Sequence, residues 1–118
     1  MGSHEVIVID DEADSRTSLV QILQLEGFRA VAFSNDADAL NYMGASGPPC
    51  IIILDMRMPV MDGAQFRSAM LQDPRLKKIP VVVVTAFEPA AAANLLALRT
   101  FRKPVNVTAL LTIVRENC

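Results

Sequence analysis

Hydrophobic positions in this chain fall into two kinds of run. Short unbroken stretches of apolar, mostly β-branched residues occur at 6–9 (Val-Ile-Val-Ile, after Glu5), 51–54 (Ile-Ile-Ile-Leu) and 81–84 (Val-Val-Val-Val). None of them alternates apolar with polar, so each reads as a strand buried on both faces, as in the middle of a parallel sheet. Weaker stretches at 28–33 and 99–103 complete a set of five, and the last is polar enough to predict an edge strand. Between the strands the apolar spacing becomes helical. Leu19, Val20, Ile22, Leu23 and Leu25 form a stripe over 15–26, and Gly27 stops it as a residue just past a helix end does. Ser34 or Asn35 can cap a helix over 36–43 with Ala37, Leu40 and Met43 inward. Asp62 opens a further helix, paired with Gln65 in the manner of a capping box; Phe66, Ala69 and Met70 form its buried face and Asp73-Pro74 its end. Glu88-Pro89 can start a helix over the alanine-rich 90–98. Asn106 caps the last helix, whose stripe is Leu110, Leu111 and Val114.

Strand and helix therefore alternate five times. That pattern predicts an α/β fold, a doubly wound five-stranded parallel sheet with right-handed crossovers and helices on both faces. A length of 118 residues suits one domain. Residues 1–4 (Met-Gly-Ser-His) read as a tag remnant, leaving 5–118 as the domain.

Composition narrows the function classes. No stretch approaches a membrane span and no secretory signal is visible, so no membrane partner and a cytoplasmic setting are expected. A net charge of −2 argues against direct binding to nucleic acid. Cys50 and Cys118 lack metal-ligand spacing and read as free thiols of a reducing compartment rather than a bridge.

The candidate chemistry lies at the ends of the strands. Asp10 and Asp11 follow the first, Asp55 the central one, Thr85 the fourth and Lys103 the fifth. In a parallel sheet these ends share one rim, where ligands of open α/β sheets bind. Carboxylates about 4 Å apart repel by roughly 4 kcal/mol at an effective dielectric of about 20. Lys103 can offset that repulsion, and so can Mg²⁺, a hard cation that accepts oxygen ligands and keeps several waters. Thr85 offers a hydroxyl to an oxygen delivered at Asp55. The chemistry that fits is phosphoryl transfer onto the Asp55 carboxylate.

Taken together, Asp10-Asp11, the segment Asp55-Met-Arg-Met-Pro-Val-Met-Asp-Gly63, Thr85-Ala86 and Lys103-Pro104 closely resemble the response-regulator receiver domains of two-component signalling. The resemblance runs from Val6 to the C-terminus. It implies a flavodoxin-like sheet, the CheY-like fold, with strand order 2-1-3-4-5, and a cis peptide at Lys103-Pro104. It implies Asp55 as phosphoacceptor, with Thr85 and Lys103 holding the phosphoryl group. Mg²⁺ would be bound by Asp10, Asp11, Asp55 and the Arg57 carbonyl. The donor would be a phosphohistidine on a sensor histidine kinase or histidine phosphotransfer protein, and the listener a downstream protein or output domain, with a homodimer left open. Such a domain is not an enzyme in the usual sense: it catalyses its own phosphorylation and slow dephosphorylation.

The chain departs from the family in one region. The aromatic residue that the family places three positions before the lysine is Thr100 here, and Phe101 stands one residue later. In a strand that shift turns the ring to the opposite face. The segment between Thr85 and Lys103 is also short for the family, so signalling through mobility or repacking of 88–98 is expected. Arg57 and Phe87 are placed at the mouth of the site, and Arg99, Arg102 and Lys103 form a basic cluster suited to partner docking. Two other classes stay open. A pseudo-receiver would bind partners without being phosphorylated; loss of Asp11, Asp55 or Lys103 would mark it, and none is lost. A haloacid-dehalogenase-type phosphatase needs a second acid two residues after the first, where Arg57 stands.

Overall fold

The computed structural model describes residues 5–56, 61–85 and 98–118. Five strands form one parallel sheet: β1 (Glu5–Ile9), β2 (Arg29–Phe33), β3 (Ile51–Met56), β4 (Val81–Thr85) and β5 (Arg99–Arg102). Their order is β2-β1-β3-β4-β5, as the resemblance implies. The helices among the described residues are α1 (Ala13–Leu25), α2 (Asp36–Ser46), α3 (Met61–Gln72) and α4 (Val107–Asn117). Of the helix expected over 90–98, residues 90–97 lie outside the described residues, as do the tag remnant at 1–4, Arg57 and Phe87; Leu98 is a bend leading into β5, its N–H donating to the Val81 carbonyl at 2.8 Å, and is not helical.

The unalternated strands sort their side chains by parity. Ile7, Ile9, Ile52, Leu54, Val81 and Val83 pack on one face with Ala39 and Met43 of α2 and Phe66 and Met70 of α3. Val6, Val8, Ile51, Ile53, Val82 and Val84 pack on the other with Leu23 of α1 and Leu110, Leu111 and Val114 of α4. This two-sided burial is why these strands carry no polar alternation. Parallel register sets Ile9 beside Leu54 and Asp55 beside Val84, which fixes the relative height of the strand ends.

The ends of the helices follow from local chemistry. Asn35 and Asn106 each accept a hydrogen bond from the backbone N–H three residues on, at 2.8 and 3.0 Å, capping α2 and α4 as expected. After α1, Gly27 takes φ 92°, its N–H donates to the Gln24 carbonyl, and the Phe28 N–H donates to Leu23. This double closure needs a left-handed residue, which glycine supplies without a Cβ clash.

Three expectations are corrected. Leu25 is 85% exposed and does not join the α1 stripe: Leu19, Ile22 and Leu23 share the buried face, and Leu25, two residues after the fully buried Leu23, points away from it. On α2 the inward small residue is Ala39, while Ala37 faces solvent, since 39 and 43 are one helical turn apart on the buried side. The cysteines are not free: Cys50 and Cys118 are joined in a disulfide with Cα atoms 5.3 Å apart. Topology explains the pairing. α4 runs back against the strands, so its C-terminal end returns to the edge of the sheet from which β3 starts, and compartment arguments from composition cannot see that.

Loss of core packing is expected to dominate stability. Ile53→Ala, at a fully buried position, should lower the unfolding free energy by about 3 kcal/mol, and Asn106→Ala by about 1 kcal/mol, both read from urea melts. Glu26→Gln, which breaks an exposed ion pair with Arg115, should cost under about 1 kcal/mol.

Candidate functional site

The C-terminal ends of β1 and β3 deliver two acids to one point. Asp10 follows β1 directly and still donates its N–H to the Phe33 carbonyl, so the sheet ladder holds its backbone. Asp55 is the fifth residue of β3, paired to Val84. By parity both belong to the face covered by α1 and α4, and both line a cavity of about 590 Å³ on that side, together with Glu12, Leu19, Lys103, Val105 and Leu110. Asp10 is 1% exposed, and the Asp55 side chain 6%.

Lys103 follows β5. Its N–H donates to the Thr85 carbonyl at 2.7 Å, and the next peptide bond, to Pro104, is cis, as the resemblance implies. The ammonium Nζ sits 2.8 Å from Asp55 Oδ2. One carboxylate of the pair is thereby neutralised. For Asp10, Oδ1 accepts from the Glu12 N–H at 2.9 Å, and the backbone carbonyl accepts from Arg16 at 2.8 Å. Two carboxylate oxygens, Asp10 Oδ2 and Asp55 Oδ1, are buried without a hydrogen-bond partner among the described residues. Buried acceptors are normally satisfied, so such a pair marks a place built for something else to bind.

The electrostatics agree. Burial pushes the Asp10 carboxyl up to about 6 from 3.8; the Asp55 charge adds to the rise, while the Glu12 N–H and Lys103 oppose it. A carboxyl taken out of water beside a second carboxylate rises in this way.

The structure thus brings together Asp10, Asp55 and Lys103, and ties Thr85 to them through its backbone. Asp11 is exposed beside them, at the start of the turn into α1. Among the described residues no three His, Cys, Asp or Glu side chains form a ready cage for a metal. Two orphaned carboxylate oxygens still fit a cation that keeps most of its waters. The basic cluster separates: Lys103 belongs to the site, while the Arg99 guanidinium lies over the Phe101 ring, 4.9 Å from its centre. Phe101 is buried among Val82, Val84 and Leu110, on the same face as Lys103, and Thr100 takes the other face. The period-two alternation therefore holds in β5, with residues 100 and 101 on opposite faces. Arg16 was not singled out from the sequence; its spacing of six from Asp10 carries no motif.

Comparison with known proteins agrees with this geometry. The profile of the response regulator receiver domain matches residues 6–115. Protein Rrf1 of Nitratidesulfovibrio vulgaris is 30% identical over 109 residues, covering 92% of this chain and 78% of the relative. The two-component response regulator ORR5 of Oryza sativa subsp. japonica is 32% identical over 93 residues, covering 79% and 69%. In fold the chain is similar to a response regulator receiver protein from Pseudomonas putida, with a TM-score of 0.85 at 23% identity over 98% of each chain. The chain belongs to the response regulator receiver domain family, the receiving module of two-component signalling. Receiver domains generally depend on Mg²⁺ and interact with kinases or phosphotransfer proteins and with output domains. No helix among the described residues is long and apolar enough to cross a membrane.

A pH dependence follows. A folded-state pKa above the unfolded one means the folded protein binds the extra proton, so metal-free stability should rise as pH falls from about 7 towards 4. The Asp10 contribution is on the order of 2–3 kcal/mol for a shift from 3.8 to about 6. Asp10→Asn should be more stable than wild type at pH 7 without metal, and should lose this part of the pH slope in denaturant melts followed by circular dichroism.

Proposed function

We propose that this receiver domain accepts a phosphoryl group on Asp55 from a phosphohistidine of a sensor histidine kinase or phosphotransfer protein, in the cytoplasm, and passes the change to a downstream protein or output domain. The observation that carries the reading is the buried Asp55 carboxylate, with Oδ2 on the Lys103 ammonium at 2.8 Å and Oδ1 without a partner among the described residues.

Asp55 is the nucleophile. One of its oxygens forms a bond to phosphorus, the phosphorus–nitrogen bond to the donor imidazole breaks, and that nitrogen keeps the electron pair. The strand holds Asp55 rigidly, so little motion is needed to reach attack geometry. The Lys103 ammonium is already beside the acceptor, and can follow the negative charge from the carboxylate to the phosphoryl oxygens. Thr85, at the end of the neighbouring strand, is assigned to hold a phosphoryl oxygen through its hydroxyl. Asp10, Asp11 and Asp55, with the Arg57 carbonyl, would hold Mg²⁺, which when bound supplies positive charge to offset the acids and the incoming group. Asp10 adds no bond to the substrate; it keeps one carboxylate oxygen free for the cation while its other oxygen is tied to Glu12.

Incubation with a small-molecule phosphodonor and Mg²⁺ should add one phosphoryl group by intact mass. The adduct should vanish in Asp55→Asn, and its rate of formation should fall at least about tenfold in Lys103→Met, which removes the charge beside the acceptor. A folded wild type that takes no phosphoryl group under any condition would instead favour a pseudo-receiver that binds partners without phosphorylation.

A further inference from the structure

The cysteine pair lies at the opposite edge of the sheet from the acids. Cys50 stands at the foot of β3, where its N–H donates to the Glu5 carbonyl at 2.9 Å. Cys118 directly follows α4, and its N–H donates to the Val114 carbonyl at 2.9 Å. Each backbone is thus fixed by its own hydrogen bond, independently of the bridge between the sulfurs. The Cα separation of 5.3 Å lies within the span that a disulfide closes without backbone movement. The two sulfurs therefore remain neighbours when the bond is open. The open state also has a place for its proton, because Cys50 Sγ lies 3.2 Å from the Glu5 carbonyl oxygen. Both residues are half-buried, at the margin of the core between the sheet and α4.

The bridge also sits at a mechanically useful point. α4 is held at its C-terminal end by the disulfide to the central strand and by the exposed Glu26–Arg115 pair to the end of α1. An exposed ion pair is weak by itself. At the other end of the same helix, Val107 and Leu110 wall the cavity that opens on Asp55 and Lys103. Closing the disulfide fixes one end of the lever whose other end borders the site.

We propose that Cys50 and Cys118 form a reversible thiol–disulfide site, exchanging with low-molecular-weight disulfides of the glutathione class, and that the closed form locks α4 onto the foot of β3. In the forward direction the thiolate of one cysteine attacks the small disulfide and releases one small thiol. The second cysteine thiolate then attacks the protein sulfur of the mixed disulfide and releases the other. The protein thiols lose two electrons, the small disulfide gains them, and the two protons leave on the two small thiols. Neither sulfur lines the acidic cavity, so the proposal does not depend on the phosphoacceptor reading.

Wild type equilibrated in glutathione buffers of graded ratio, then trapped with an alkylating agent, should pass reversibly between two modified thiols and none by intact mass. The closed form should melt roughly 5–15 °C higher than the open form. Amides of α4 should exchange with solvent at least about tenfold more slowly in the closed form, because local opening of the helix must then carry its anchor with it. Cys118→Ser and Cys50→Ala should each abolish the redox dependence of melting and exchange. Phosphoryl uptake by Cys118→Ser should match wild type, so failure at the sulfurs and failure at Asp55 are told apart. Two thiols that stay open to alkylation at every ratio in the folded protein would overturn the proposal. So would a bridge that reduced glutathione never opens, or melting and exchange in wild type that ignore its redox state.

Discussion

The ion pair between Lys103 and Asp55 is the interaction on which the site depends. Two carboxylates stand side by side at the buried end of an apolar sheet, where burying negative charge is costly. The ammonium at 2.8 Å neutralises one of them, and the raised pKa of Asp10 records what remains uncompensated. Replacing the acids by apolar residues would relieve that cost. Keeping them leaves a concentrated negative site with two oxygens in want of a partner, which the proposed cation and phosphoryl group would meet.

The fold serves this pair directly. Parallel register puts Asp10 and Asp55 one step beyond the paired Ile9 and Leu54. Strand parity turns both towards the α1 and α4 side, where the cavity lies. Lys103 arrives from a different strand, two positions from Val84 and Asp55 in the sheet, and is anchored by its own N–H to the Thr85 carbonyl. Strands buried on both faces make the rim rigid, so a small set of side chains can be aimed without support from long loops.

Most of this was legible in the sequence, and the reason is periodicity. The runs Val6–Ile9, 51–54 and 81–84 could only be doubly buried strands, and each ran straight into a polar residue, so fold and site were read from the same feature. Parity alone placed Phe101 on the face opposite to that of the family's usual aromatic. What the sequence hid depends on contacts between distant positions. Cys50 and Cys118 are 68 residues apart and meet only because the last helix runs antiparallel to the strands. Leu25 is apolar but falls on the far side of α1 from Leu19, Ile22 and Leu23, so counting apolar residues without fixing their angle misled. Arg16 reaches the Asp10 carbonyl across the first turn of α1, a contact with no signature in spacing.

On the proposed function, the paired acids form a cation site whose occupancy relieves their repulsion. The direct test is thermal melting of the phosphate-free protein near pH 7.5 with and without millimolar Mg²⁺ at constant ionic strength. Binding to the folded state alone must stabilise it by mass action. Wild type should melt several degrees higher with Mg²⁺, and Asp10→Asn and Asp55→Asn should gain little or nothing. Equal melting of wild type with and without the metal, or an equal gain in both variants, would contradict the account.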